Sequence, residues 1–174
     1  GMSDLDGTFE IGPQMDVTFW RSANHARFVK LLLPLRAAIT LEGAPKDIGL
    51  VFHPKLNMDI TDIPGMPGWN LGTLAGPLFG DKRQHAYYYS VAPQYATADR
   101  PAYEAKAGYA GMQYLVALSK RFPSYWVGGF VRYDNLGGAT FDNSPLVRQK
   151  DYVAAGIAIT WVLGESSTRV KVDD

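Results

Sequence analysis

The sequence predicts an all-β chain: an antiparallel up-and-down β-barrel of about eight strands, of the outer-membrane type. Three observations lead there. In the segment 152–163 every second residue is apolar (Val153, Ala155, Ile157, Ile159, Trp161, Leu163), while the alternate set, Ala154, Gly156, Ala158 and Thr160, is small and uncharged. Period two marks a strand with two different environments, and a greasy outer face over a crowded inner face suits a strand set against lipid. Several candidate strands also exceed the roughly five or six residues usual in soluble sheets and approach the length of a tilted membrane strand. Finally, longer and shorter connections alternate, as they do when hairpins close on opposite sides of a bilayer.

Residues 8–20 open the pattern, with Phe9, Ile11, Pro13, Met15, Val17 and Phe19 on one face and Thr8, Glu10, Gln14, Asp16 and Thr18 on the other. Residues 27–42 repeat it, setting Val29, Leu31, Leu33, Leu35, Ile39 and Leu41 against Lys30, Arg36, Thr40 and Glu42. Across 47–60, Ile48, Leu50, Phe52, Leu56, Met58 and Ile60 oppose His53, Lys55, Asn57 and Asp59. Weaker strands are expected at 69–80 and 85–93, and stronger ones at 105–120, 125–136 and 150–163. Pro34, Pro54 and Pro77 fall inside these strands, where each removes a ladder donor and predicts a bulge, a bend, or a broken or edge strand. With both ends of the barrel periplasmic, Trp20 and Trp69 are expected near the outer rim and Trp126 and Trp161 near the inner one, as two aromatic girdles. Residues 1–174 are read as a single barrel domain, with 1–7 a tag remnant and disordered start and 164–174 a polar tail carrying a short extension at 168–172.

Composition narrows the function classes. The 17 basic and 17 acidic residues cancel and no basic block stands out, so no nucleic-acid partner is expected. Cysteine is absent, which excludes disulfides and thiolate metal sites. Aromatics at 13% and 18 glycines suit a β-rich protein with close backbone approaches. The longest greasy run, Leu31 to Leu35, is far shorter than the ~18 residues a membrane helix needs. No export signal is visible, and because Gly1-Met2 reads as the scar of a cleaved tag, that carries no information about the precursor.

Four stretches carry a resemblance. They are Trp126-Val-Gly-Gly-Phe-Val-Arg-Tyr-Asp-Asn through Asp142-Asn-Ser-Pro-Leu-Val-Arg-Gln-Lys-Asp, Trp69-Asn-Leu-Gly-Thr-Leu-Ala-Gly-Pro-Leu-Phe-Gly-Asp81, Tyr87-Tyr-Tyr-Ser-Val-Ala-Pro93 and Ala96-Thr-Ala-Asp-Arg-Pro-Ala-Tyr103. Together they resemble the MipA/OmpV family over roughly residues 28–163. The most specific part is the Ser144-Pro145-Leu146-Val147 loop followed by a final alternating strand. The resemblance implies a Gram-negative outer-membrane protein. Its founding type is an MltA-interacting scaffold linking a lytic transglycosylase to a penicillin-binding protein in murein synthesis. The chain departs from the pattern in lacking the export signal and first strands of longer members. It also carries Leu163 and a tail where the family stops on an aromatic.

Candidate chemistry is sparse. His53, Lys55 and Asp59 share one polar face, and Arg132 and Asp134 share another, which predicts a paired polar cluster inside the barrel. His25 and His85 are expected at the surface, and no histidine pair has metal-ligand spacing. Ser90 lies near His85, and Ser144 beside Asp142 and Asn143, but neither serine sits in a Gly-x-Ser-x-Gly elbow; Asp-Asn-Ser-Pro is turn chemistry. The loop also lacks the regular carboxylates of a calcium loop. Asp142, Asn143, Ser144, Arg148 and Lys150 are read instead as an interaction loop, with Arg148 and Lys150 either facing lipid headgroups or lipopolysaccharide phosphates or belonging to an ordinary solvated loop. No catalytic residue, metal or cofactor is assigned. The expected function is a non-enzymatic outer-membrane scaffold in envelope maintenance. The rival expectations are a soluble barrel carrying a hydrophobic ligand and a narrow outer-membrane transporter.

Overall fold

In a computed structural model, which describes residue 2 and residues 4–164, the alternating segments form one antiparallel sheet. Its strands are β1 (Thr8–Ile11), β2 (Gln14–Arg21), β3 (Arg27–Thr40), β4 (Asp47–Phe52), β5 (Lys55–Ile60), β6 (Trp69–Gly80), β7 (Gly108–Arg121), β8 (Tyr125–Asn135) and β9 (Asp151–Trp161). β1 and β2 run end to end along β3, and β4 and β5 run end to end between β3 and β6, so nine strands make seven up-and-down passes. The passes curl around a common cavity, to which β1, β3, β4, β6, β7 and β8 all contribute side chains. The strand order ends at β1 and β2 on one side and at β9 on the other, and among the described residues no ladder joins those ends. The extension expected at 168–172 lies outside the described residues. Within the expected disordered start, the Gly7 carbonyl accepts from the Leu41 amide and the Asp6 carbonyl from the Tyr87 hydroxyl.

Residues directly opposite across a ladder share a face, so the register lets each face be walked around the ring. One row runs Val17, Leu31, Leu56, Ala75, Tyr114, Tyr133, Val153. The next row, on the opposite face, runs Thr18, Lys30, Asn57, Leu74, Leu115, Arg132, Ala154. The apolar row is convex and ends at Val153 (74% exposed); Ile157, on the same face of β9 one level away, is 90% exposed. The mixed polar row faces the cavity. This sidedness is the reverse of a soluble β-protein.

A row of prolines crosses four neighbouring passes at one level. Gly12-Pro13 separates β1 from β2, Pro34 lies inside β3, His53-Pro54 separates β4 from β5, and Pro77 lies inside β6. Each pyrrolidine removes a ladder donor, and here the losses face one another: Gln14 pairs with Pro34, and β6 changes partner from β5 to β4 on either side of Pro77. Segment 47–60, where Pro54 predicts a bulge, a bend or a break, is broken into two pieces. The backbones also close up at the seam, since a side chain at Gly76 would run into the Pro54 carbonyl.

The segment 85–93, expected as a strand, is instead α1 (Lys82–Tyr89) followed by a 3-10 turn, Pro93–Tyr95. Local chemistry favours this. Asp81 is an N-cap whose carboxylate accepts from the Gln84 amide at 2.8 Å, and good helix formers follow it. The tyrosine run suggests a strand by composition alone, and the cap outweighs it. Gly49, at φ +121, leaves room for the Asp81 cap against β4; a side chain there would meet the Asp81 carboxylate.

α1 and the connections 90–107 and 136–150 build a packed cap over part of one end of the ring. Ala105, Ala139 and Phe141 form its centre, with Tyr89, Tyr103, Leu136 and Val147 packed around them. Tyr89 stacks on Phe141 at 3.7 Å, and His85 meets the same ring edge-on at 4.7 Å. His85, expected at the surface, is fully buried, because it is the α1 residue that turns inward onto Phe141; its Nδ1 bonds the Lys106 carbonyl at 2.6 Å. His25 is exposed, as expected.

Seven passes also fix which end each tryptophan occupies. Because every neighbouring pair is antiparallel, Trp20, Trp69, Trp126 and Trp161 all lie at the end carrying the shorter links 22–26, 61–68 and 122–124. The expected split of tryptophans between two rims does not occur, since a helix replaces one expected strand and reverses the sense of every later pass. Phe122 and Tyr125 stack at 4.5 Å on the tryptophan rim, with the Lys120 ammonium over Trp69 and Phe122. Nearer the capped end, the outer face carries Phe52, Phe79 and Tyr109 in ring contact, and a stacked Tyr114–Tyr133 pair. Two aromatic bands exist, but the tryptophans occupy only one.

Two outcomes test the cap. Phe141→Ala should destabilise it by about 3–5 kcal/mol, read from denaturant unfolding followed at the cap tyrosines. Burial holds the His85 imidazole below its ordinary 6.5, against the Lys106 bond and Asp81, which raise it. The unfolded chain therefore takes up a proton that the folded cap resists, and cap stability, complete above pH 6.5, should fall as pH drops below that value. His85→Asn should flatten this slope in thermal unfolding scans across the same range.

Candidate functional site

The concave face holds a half-enclosed cavity of about 350 Å³, at the level of the proline row. β1 supplies Glu10, β3 supplies Arg36, the β4–β5 break supplies His53 and Lys55 follows it; Gln113 comes from β7 and Arg132 from β8. Pro34, Val51 and Leu78 complete its walls. The break matters to this geometry. By interrupting the ladder at His53-Pro54 it places two polar side chains, His53 and Lys55, on the inner wall on either side of the seam.

Of the residues expected in a lumenal cluster, the fold brings His53, Lys55, Arg132 and Asp134 together. Asp134 accepts from Arg132 Nε at 2.8 Å through one oxygen and from the Gln113 amide at 2.8 Å through the other. Asp59 is not part of the group. It lies nearer the tryptophan rim, in a separate cavity with Phe28, Asn70 and Ser119. His53 Nε2 is buried and has no hydrogen-bond partner among the described residues. Glu10, Arg36 and Gln113 were not singled out from sequence. Alternation places the first two on polar faces, but only the pairing of distant strands brings them to this wall.

The cavity continues toward the capped end, because Leu78, Gln113 and Arg132 also line a neighbouring space beneath Tyr89 and Leu136. Toward the tryptophan rim the inner face carries Leu32, Leu74 and Leu115. The concave wall is thus charged around the cavity and apolar beside it. A carrier of a hydrophobic ligand needs the opposite arrangement, with apolar side chains lining the concavity.

The loop residues divide by role. Ser144 is buried, and its hydroxyl donates to the Tyr89 carbonyl at 2.6 Å, which ties the loop to α1. Asp142 accepts from the Lys150 ammonium at 3.0 Å, and that hydrogen bond holds its carboxyl below the usual carboxylate range. Asn143 and Arg148 remain exposed at the surface of the cap. Ser90 accepts from the Ala105 amide at 2.9 Å. Both serines are therefore engaged with backbone, and neither bonds His85.

No curated protein and no solved structure matches the chain. The family profile described as MltA-interacting protein MipA matches residues 1–163, nearly the whole sequence. The chain belongs to the MipA family.

Proposed function

We propose that this protein is an outer-membrane scaffold of the cell envelope, without enzymatic activity, whose partners include a lytic transglycosylase and, through it, a penicillin-binding protein. The observation that carries the membrane part is the convex apolar face. Val153, Ile157, Ile159 and Trp161 of β9 stand exposed in one line, and the row continues around the ring. Water does not tolerate an apolar surface of that extent on a soluble monomer, whereas lipid tails do. The partner part rests on the family, whose name specifies interaction with MltA.

The two ends suit different contacts. Short turns of outer-membrane barrels face the periplasm and long loops face outward. The tryptophan rim, with its short links, would then meet cell-wall enzymes, which work in the periplasm. The cap, with Arg148 and the Asp142–Lys150 pair, would lie among lipopolysaccharide phosphates.

The protein should be recovered only with detergent and migrate differently on a gel before and after heating. Ile157→Arg should destabilise it by about 2–4 kcal/mol in lipid vesicles, while Ala158→Ser on the opposite face is tolerated; equal tolerance would contradict the assigned facing. Cross-linking in cells from positions on the tryptophan-rim turns should capture a lytic transglycosylase. Failure to enrich any murein enzyme from that rim removes the scaffold role.

A further inference from the structure

We propose that the lumenal cavity is a binding site for a small anion bearing carboxylate or phosphate groups, held by Arg36, Lys55 and Arg132. The charge count of the wall points to this. Three cationic side chains line the cavity and one carboxylate, Glu10, lines it with them. Asp134 adds a second carboxylate, but both its oxygens are already engaged, by Arg132 and by Gln113. Arg36 and Lys55 are left half-buried, and neither has an ion-pair partner among the described residues.

Like charges in a partly dehydrated wall repel, and the repulsion is stronger there than in water. Buried charges are normally paired; Glu10, the one carboxylate that acts on Lys55 from this wall, offsets only one of the two cations, so the half-enclosed space keeps an excess positive charge that calls for a counter-charge inside it. The space has the size of a small-molecule site, at about 350 Å³. The excess positive charge disfavours a cation, and the small volume has no room for a nucleic acid or a protein segment. Arg132 presents a planar donor fork and Lys55 a compact ammonium, a pair suited to carboxylate or phosphate oxygens. Gln113 places a neutral amide on the same wall. Entry would be from the capped end, along the space beneath Tyr89 that shares Leu78, Gln113 and Arg132 with the site. None of this depends on what covers the convex face or on which proteins the chain meets.

The experiment is calorimetric titration of the full chain, refolded in detergent micelles at constant ionic strength. Citrate is used in one arm and inorganic phosphate in the other, so that carboxylate and phosphate ligands are told apart. At least one should bind saturably at a single site. Arg36→Gln and Lys55→Gln should each weaken it by about tenfold or more, whereas Lys55→Arg should retain it within about threefold. Lys46→Gln, in the exposed connection before β4, should leave binding unchanged. Because the empty site holds repelling cations, ligand-free Lys55→Gln should melt no lower than the unmodified protein. Absence of saturable binding in both arms overturns the proposal, as does binding that survives both Gln substitutions. Should Arg36→Gln fail to fold, the Lys55 pair decides alone.

Discussion

The structure depends on keeping two kinds of surface apart across the thickness of a single strand. Each pass sends apolar side chains outward and polar or small ones inward, and the registers keep these rows aligned from β2 to β9. A shift of one residue in any ladder would exchange the faces of every strand beyond it. That makes register the property most strongly fixed by the sequence. It also explains why the sheet has almost no dry interior of its own. The hydrophobic effect that closes a soluble sandwich is not available to a sheet whose apolar residues point away from its axis.

What replaces that interior is the cap. Phe141, Ala105 and Ala139 are among the few fully buried apolar residues, and they lie outside the sheet, between α1 and two long connections. His85 and Ser144 are buried with them and tie the cap internally, through the Lys106 and Tyr89 carbonyls. The protein thus has two regimes: a ring held by backbone ladders, and a lid held by packing. The charged cavity lies in the ring and opens toward the lid.

Alternation was legible wherever a strand has two contrasting faces. It located β3, β6, β7, β8 and β9 closely, and placed His53, Lys55, Arg132 and Asp134 on the inner wall. It could not show that Asp59 sits apart, because distance along a strand is not distance within a folded cavity. It also could not supply Glu10, Arg36 or Gln113, which join the site only through partners far away in sequence. The helix is hard to see in sequence because the β propensity of three consecutive tyrosines competes with the Asp81 cap. That one element carried the tryptophans to the wrong rim, since the sense of every later pass depends on counting the earlier ones.

The aligned prolines divide the ring unequally. On the side built by β1 to β6 the hydrogen-bonded wall is interrupted at one height, while β7, β8 and β9 pair without a gap. Such a wall resembles card creased along half its circumference, with fewer backbone hydrogen bonds along the crease than anywhere on the uncreased half. Arg36, Lys55 and Glu10 stand on the creased half and Arg132 on the uncreased one, so the spacing between the charges spans the line where the ladder hydrogen bonds are interrupted.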